Sequence, residues 1–323
     1  MLIYLITAAL VFDFTNGFHD ASNIVATAIS SRALAPRAAL YMTAVAEFVA
    51  PFIFGVAVAT TIGKGLIDPN VVSINVVMAG TLAAITWNLL TWWISIPSSS
   101  SHALVGGLLG SAIMSSGLQV IQFKGLLLVI TALLISPPLG LLVSYAFMNI
   151  TRFVLKKATP KVNTIFRRIQ ILTSLTLALS HGTNDAQKTM GIITLGLVAS
   201  GFQETFHVPL WVIAISAGAI ALGAVSGGWR LIRTLGGRIY KIRPVHALTS
   251  QAASTGVVLG AALIGGPVST TQVVSGAIMG AGAAERINMV RWQVAQHMLV
   301  TWLLTIPASA ILSALIYLLI RNF

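Results

Sequence analysis

An acid-bearing segment occurs twice in this chain, each time inside a long apolar stretch. Asn16-Gly17-Phe18-His19-Asp20-Ala21-Ser22-Asn23 returns about 165 residues later as His181-Gly182-Thr183-Asn184-Asp185-Ala186-Gln187-Lys188. Gly17 falls on Gly182, Asp20 on Asp185 and Ala21 on Ala186. A second pair repeats with nearly the same offset: Pro97-Ser98-Ser99-Ser100-Ser101-His102 and Pro267-Val268-Ser269-Thr270-Thr271-Gln272. Acids and hydroxyls duplicated in apolar surroundings point to two repeats built around one buried polar site, as in secondary transporters.

The surroundings are membrane-like throughout. Of 323 residues 56% are hydrophobic and 8% charged, and the mean hydropathy is +0.91. A soluble domain carries roughly 25% charged residues. The apolar runs are continuous, not alternating, so the spans are helices and not barrel strands. The first run, from Leu2, has no basic leader or small-residue cleavage site and reads as a span, not a removable signal. No cysteine is present, which rules out disulfides, thiolate metal sites and cysteine nucleophiles. The net charge of +12 is expected to lie in cytoplasmic loops and not to mark a nucleic-acid partner.

Spans are predicted at 2–30, 38–62, 72–96, 98–117 and 125–150, then at 168–200, 208–229, 244–264, 267–284 and 292–320. The first repeat is therefore 1–150, a basic linker covers 151–167, and the second repeat covers 168–323. The segments at 2–30 and 168–200 exceed one straight crossing of about 20 residues. Each is expected to unwind at its Gly-Asp motif. The segments at 98–117 and 267–284 start at a proline and either span or re-enter. Breaks at membrane depth persist only where they line a cavity.

Charge placement orients this layout. With both termini outside, the inside loops hold Arg32 and Arg37, Arg152 to Arg168, Arg230 to Arg243, and Arg286 with Arg291. Only Lys64, Lys124 and Arg321 fall outside, and Lys188 lies within a span. Five spans per half is an odd number, so the second repeat must cross upside down. The expected fold is thus an all-α membrane protein, an inverted-topology repeat of about 5+5 segments with broken or re-entrant helices at the midplane, multi-pass in the cytoplasmic membrane.

Four acids lie within spans: Asp13, Asp20, Glu47 and Asp185. Each costs about 2.5–3.5 kcal/mol on insertion scales and normally faces a partner or a polar path. Asp20 and Asp185 recur in both repeats and are read as functional. Asp13 and Glu47 could equally cap, pair or sit near an interface. Asp20 with Asn23, and Asp185 with Asn184, make hard-oxygen sites for a coupling Na⁺ or proton. If the cation is Na⁺, its ligands are expected from Asp20, Asn23 and Asp185.

Ser99, Ser100 and Ser101, with Ser269, Thr270 and Thr271, each open a predicted helix after a proline. Free N–H groups and the positive dipole end make such starts anion sites, although serine-rich starts are also ordinary caps. Two of them in register with the acid motifs favour convergence on one tetrahedral oxyanion. His181 and His297 carry no more than the expectation of a hydrogen bond to a neighbouring helix.

At these motifs the chain resembles the inorganic phosphate transporter (PiT) family, which also has sulfate-permease relatives. The resemblance rests on Gly17 to Asn23, Gly182 to Asp185, Pro97 to His102, Pro267 to Gln272, and the ending Trp302-Leu303-Leu304-Thr305-Ile306-Pro307. It implies cation-coupled import of phosphate by alternating access, with sulfate as the alternative substrate and Na⁺ or H⁺ as coupling ion. A homodimer is compatible with it, though the sequence carries no sign of one. An anion channel or an intramembrane hydrolase fits less well: a hydrolase needs one nucleophile beside one base, whereas acids and hydroxyls are here duplicated. No catalytic residue and no cofactor is expected.

Two departures from internal symmetry bear on ion preference. Gln272 stands where His102 stands in the first half, and a histidine is common in the family's second motif. Lys188 stands where Asn23 does. Its ammonium either takes a cation position beside Asp185 or snorkels to the membrane interface.

Overall fold

A computed structural model describes residues 1–68, 72–94, 98–157, 159, 161–227 and 241–322. Pro97 and the basic residues Arg230, Arg233 and Arg238 lie outside the described residues. The described residues form eleven α-helices: α1 Leu2–Ser30, α2 Pro36–Phe54, α3 Ala57–Gly65, α4 Ile74–Trp93, α5 Ser100–Ser116, α6 Phe123–Val154, α7 Val162–Ala199, α8 Leu210–Ser226, α9 Pro244–Leu263, α10 Thr270–Glu285 and α11 Trp292–Ile320. One isolated bridge, Ile67 with Ile121, is the sole extended pairing among them.

Helices α1, α2, α4, α6 and α11 are long and apolar enough to cross a membrane. Their polarity is inside out relative to a soluble bundle. Leu127, Leu134 and Leu142 on α6, and Leu303, Ile311 and Leu315 on α11, are exposed, while Asp20, Glu47, Asp185 and Lys188 are buried. That arrangement suits a hydrocarbon solvent around a polar centre.

The predicted unwinding at the Gly-Asp motifs is not found: α1 and α7 run through them as continuous helices. The glycines serve close packing instead. A Cβ at Gly17 would lie 2.1 Å from the Ile220 carbonyl oxygen of α8, and one at Gly182 would lie 2.6 Å from Glu47 Cα of α2. Small residues of this kind let helix backbones touch. The two motif helices cross antiparallel: Leu5 meets Gly196, Asp20 faces His181, and Ser31 hydrogen-bonds Gln170.

The predicted span 38–62 is in fact two helices, because Gly55 takes φ 82° and breaks the chain between α2 and α3. Gln187 of α7 satisfies the freed backbone. Its Oε1 accepts from the N–H of Val58 at 2.7 Å and of Ala59 at 3.2 Å, and its Nε2 donates to the Gly55 carbonyl at 2.6 Å. The linker also narrows, since α6 continues to Val154 and α7 starts at Val162, leaving Arg152, Arg167 and Arg168 on helices.

Two further breaks carry the hydroxyl runs. Helices α4 and α5 fold back on each other, with Gly80 against Gly107 and Ser111 donating to the Val76 carbonyl at 2.8 Å. Helices α9 and α10 pack together across the turn at 264–269. Each hairpin then locks onto the long helix of the other half. On α5, a Cβ at Gly106 or Gly110 would meet the Ile306 or Ala310 carbonyl oxygen of α11 at 2.4 or 2.1 Å. On α10, Gly276 and Gly280 bear the same relation to Pro137 and Leu141 of α6, at 2.5 and 2.1 Å.

Gly280→Ala should therefore destabilise the protein by about 1–3 kcal/mol through overpacking, lowering its melting temperature in detergent. Gly256→Ala, which has open space around it, should be neutral or slightly stabilising. Equal melting of the two variants would contradict the packing described. Gln187→Ala strips the acceptor from two buried N–H groups and should cost about 1–3 kcal/mol, read in the same melt.

Candidate functional site

The polar centre starts at Asp20, which is 1% exposed at the middle of α1. Helical spacing puts Asn23 one turn away on the same face, and Asn23 Nδ2 donates to Asp20 Oδ1 at 3.0 Å. His19 Nδ1 lies 2.9 Å from the same oxygen. Hydroxyls from both halves complete the shell: Thr271 donates to Oδ1 at 2.8 Å and Ser100 to Oδ2 at 3.4 Å. Asn23 Nδ2 also reaches Thr271 Oγ1 at 2.9 Å, while Asn23 Oδ1 is buried without a hydrogen-bond partner. Carboxylate, carboxamide and hydroxyl oxygens together are a hard donor set suited to Na⁺.

Asp185 repeats the plan with different chemistry. Lys188, one turn on, donates to Asp185 Oδ1 and, at 3.2 Å, to the Val268 carbonyl. Thr270 donates to Oδ2. Lys188 is fully buried, so the snorkelling alternative falls. Asn184 points elsewhere: consecutive helical residues diverge by about 100°, and its Nδ2 donates to the Gly266 carbonyl at 3.3 Å.

The starts of α5 and α10 meet at this centre. Ser99 and Ser269 are N-caps, each accepting from the backbone N–H three residues on, at 3.1 Å from His102 and 3.4 Å from Gln272. The capping reading thus applies to these two serines. The residues that follow turn to the acids and to the opposite half: Ser101 donates to the Val268 carbonyl at 3.0 Å. The mismatched pair of the two motifs is in contact, with Gln272 Nε2 3.3 Å from His102 Nδ1 and Ser99 Oγ 2.7 Å from the same nitrogen.

Two members of the centre carry only modest expectations from sequence, a hydrogen bond to a neighbouring helix for His181 and a cap, a pair or an interface for Glu47. His181 stands between three acids, with Nδ1 2.7 Å from Glu47 Oε1 and Nε2 3.3 Å from Asp185 Oδ2 and 3.9 Å from Asp20 Oδ2. Its place one helical turn before Asp185 was the available signal. Glu47 is an acid within a span and is held to His181 across the α2–α7 contact. Asp13 is buried with neither carboxylate oxygen hydrogen-bonded, beside Thr189 of α7. Asp20, His181 and Asp185 each bring a ligand-type atom within 4.8 Å of the others, although Lys188 already engages one of these carboxylates.

The comparisons with known proteins agree with one another. The sequence pattern of the Phosphate transporter family matches residues 16–313. A protein of Rhizobium meliloti (strain 1021) named "Probable low-affinity inorganic phosphate transporter" is 43% identical over 319 residues, covering 98% of this chain and 96% of that one. One of the same name from Bacillus subtilis (strain 168) is 42% identical over 321 residues, with the same coverage of 98% and 96%. A solved structure titled "The sodium-dependent phosphate transporter" superposes with TM-score 0.90 over 100% of this chain and 99% of its own, at 24% identity, which shows a common fold. Matched by pattern and by relatives over nearly its whole length, this chain belongs to the phosphate transporter family.

Proposed function

We propose that the chain imports inorganic phosphate across the cytoplasmic membrane, coupled to a cation, by alternating access about the centre described above. The observation that carries this reading is the meeting of two capped helix starts, one from each half, on a buried pair of carboxylates. The N-termini of α5 and α10 offer N–H groups and positive dipole ends to an anion. Ser100, Ser101, Thr270 and Thr271 add hydroxyl donors, with Ser99 and Ser269 holding the helix starts in shape. A dianion and two carboxylates repel one another, so positive charge at both acids is required before the anion is held: Lys188 already stands at Asp185, and a cation is needed at Asp20. Na⁺ is the cation that the oxygen donors around Asp20 suit best.

The electrical term sets the need for coupling. Moving a dianion inward against an inside-negative potential costs about 4.6 kcal/mol per 100 mV, twice the single-charge figure. Two cations per dianion, or one per monoanion, cancel it.

We further read the two halves as inverted repeats. The antiparallel crossing of α1 and α7 supports this, as does the matched glycine packing of α5 on α11 and α10 on α6. The orientation with both termini outside is supported by the grouping of charges. Arg32, Arg167, Lys241, Arg243 and Arg291 line one cleft, Lys64 and Glu204 line another, and Met1 shares a third with Ile320. Membership of a transporter family sets the intramembrane hydrolase aside.

In proteoliposomes, an imposed Na⁺ gradient should drive radiolabelled phosphate uptake above its equilibrium level. Asp20→Asn should reduce that coupled uptake by about 100-fold, the scale of losing roughly 2.7 kcal/mol. A tenfold excess of sulfate should leave wild-type uptake largely intact. Robust ion-driven uptake by both Asp20→Asn and Asp185→Asn would overturn the assignment, and equal competition by sulfate would transfer it to tetrahedral oxyanions at large.

A further inference from the structure

The two acids of the centre are equivalent by position but not by partner. In each half the residue one turn after the aspartate donates to that aspartate's Oδ1: Asn23 to Asp20 at 3.0 Å, and Lys188 to Asp185. A threonine at the start of α10, in the second half, also donates to each acid: Thr271 to Asp20 and Thr270 to Asp185. The residue one turn on differs in charge, a neutral carboxamide at Asp20 and an ammonium at Asp185, and Asp20 alone also has His19 and Ser100 within hydrogen-bond reach.

That difference has an electrostatic consequence. Asp20 has no lysine or arginine in hydrogen-bond contact among the described residues, and the Asn23 Oδ1 beside it is an oxygen ligand without a donor. Asp185 already holds a positive charge, delivered on a fully buried stem and fixed by a second bond to the Val268 carbonyl. Val268 immediately precedes the hydroxyl run that opens α10, so the ammonium stands where the anion-gripping helix starts. An inorganic cation placed on Asp185 would sit within a few ångströms of this ammonium, in a medium where like charges repel far more strongly than in water.

We infer that Lys188 is a covalently tethered replacement for one transported cation, so that this chain takes up one free cation fewer per cycle than a member with a neutral carboxamide at this position. Lys188 is then a specificity-determining residue: it supplies the charge that steadies the bound anion on the second-half side, and it never leaves. The free cation binds at Asp20. The inference rests on the reading of Asp20 and Asp185 as the cation-bearing acids of the cycle, and it concerns the number of ions bound.

Equilibrium binding of ²²Na⁺ to the purified full-length protein in detergent tests it. Lys188→Asn should bind one more Na⁺ per chain than the wild type, and adding Asp185→Asn should remove the gained ion. Lys188→Gln, whose longer carboxamide fills more of the vacated space, guards against a misfolded asparagine variant. The melting temperature of each Lys188 variant should also rise more steeply with Na⁺ between 1 and 100 mM than that of the wild type. The same bound Na⁺ count in wild type and both Lys188 variants, with parallel dependence of melting on Na⁺, would overturn the inference. The comparison is made at equilibrium without phosphate movement. A wild type that accumulates no phosphate in vesicles would therefore overturn the transport reading alone and leave this count standing.

Discussion

Carboxylates buried in a protein that hydrocarbon surrounds must find compensation within the chain, and the architecture follows from that demand. Asp20, Asp185, Glu47 and Asp13 all lie in the interior. Removing a charge from water is expensive unless hydrogen bonds and opposite charges replace the lost hydration. Asp20 and Asp185 receive that replacement from four separate helices. His181 lies between three of the acids, and Lys188 adds the one lysine ammonium at the centre among the described residues. The helix breaks before α5 and α10 survive in the interior for the same reason: capping serines and side-chain amides satisfy the backbone groups that the breaks release.

Close glycine contacts make this arrangement mechanical as well as chemical. Each hydroxyl-bearing hairpin belongs to one half but is pressed against the long helix of the other, α5 on α11 and α10 on α6. Carbonyl oxygens seated over glycines leave no room for a side chain, so each hairpin and its partner helix form one closely packed unit. Motion of one unit against the α1–α7 crossing would change access to Asp20 and Asp185 from either side. This is the geometry that rocking-bundle transport requires.

The helices were legible because apolar runs are a local property of the sequence. Nine of the ten predicted spans map onto single helices, with ends shifted by a few residues, and the tenth divides at Gly55. The hydroxyl runs were legible for a similar reason, since a serine before a short helix is a local cap. Gly17 and Gly182 misled because a glycine beside a buried acid has two uses, unwinding and close approach, and only the neighbouring helix decides between them. His181 and Glu47 were legible only in outline, as a histidine bonded to a neighbouring helix and an acid that could pair, because their partnership arises across the α2–α7 interface, between residues more than a hundred positions apart. Spacing along one helix could place His181 beside Asp185. It could not supply Glu47 on the opposite side of the ring.

The central claim is that two halves build one anion site. Equilibrium binding of radiolabelled phosphate to the purified protein, in the presence of Na⁺, tests it most directly. The account predicts one phosphate per chain. It also predicts that Ser101→Ala in the first half and Thr271→Ala in the second each weaken binding by about tenfold or more, as loss of a hydrogen bond to a charged ligand should. Two phosphates per chain, or binding that responds to substitutions in one half alone, would contradict it.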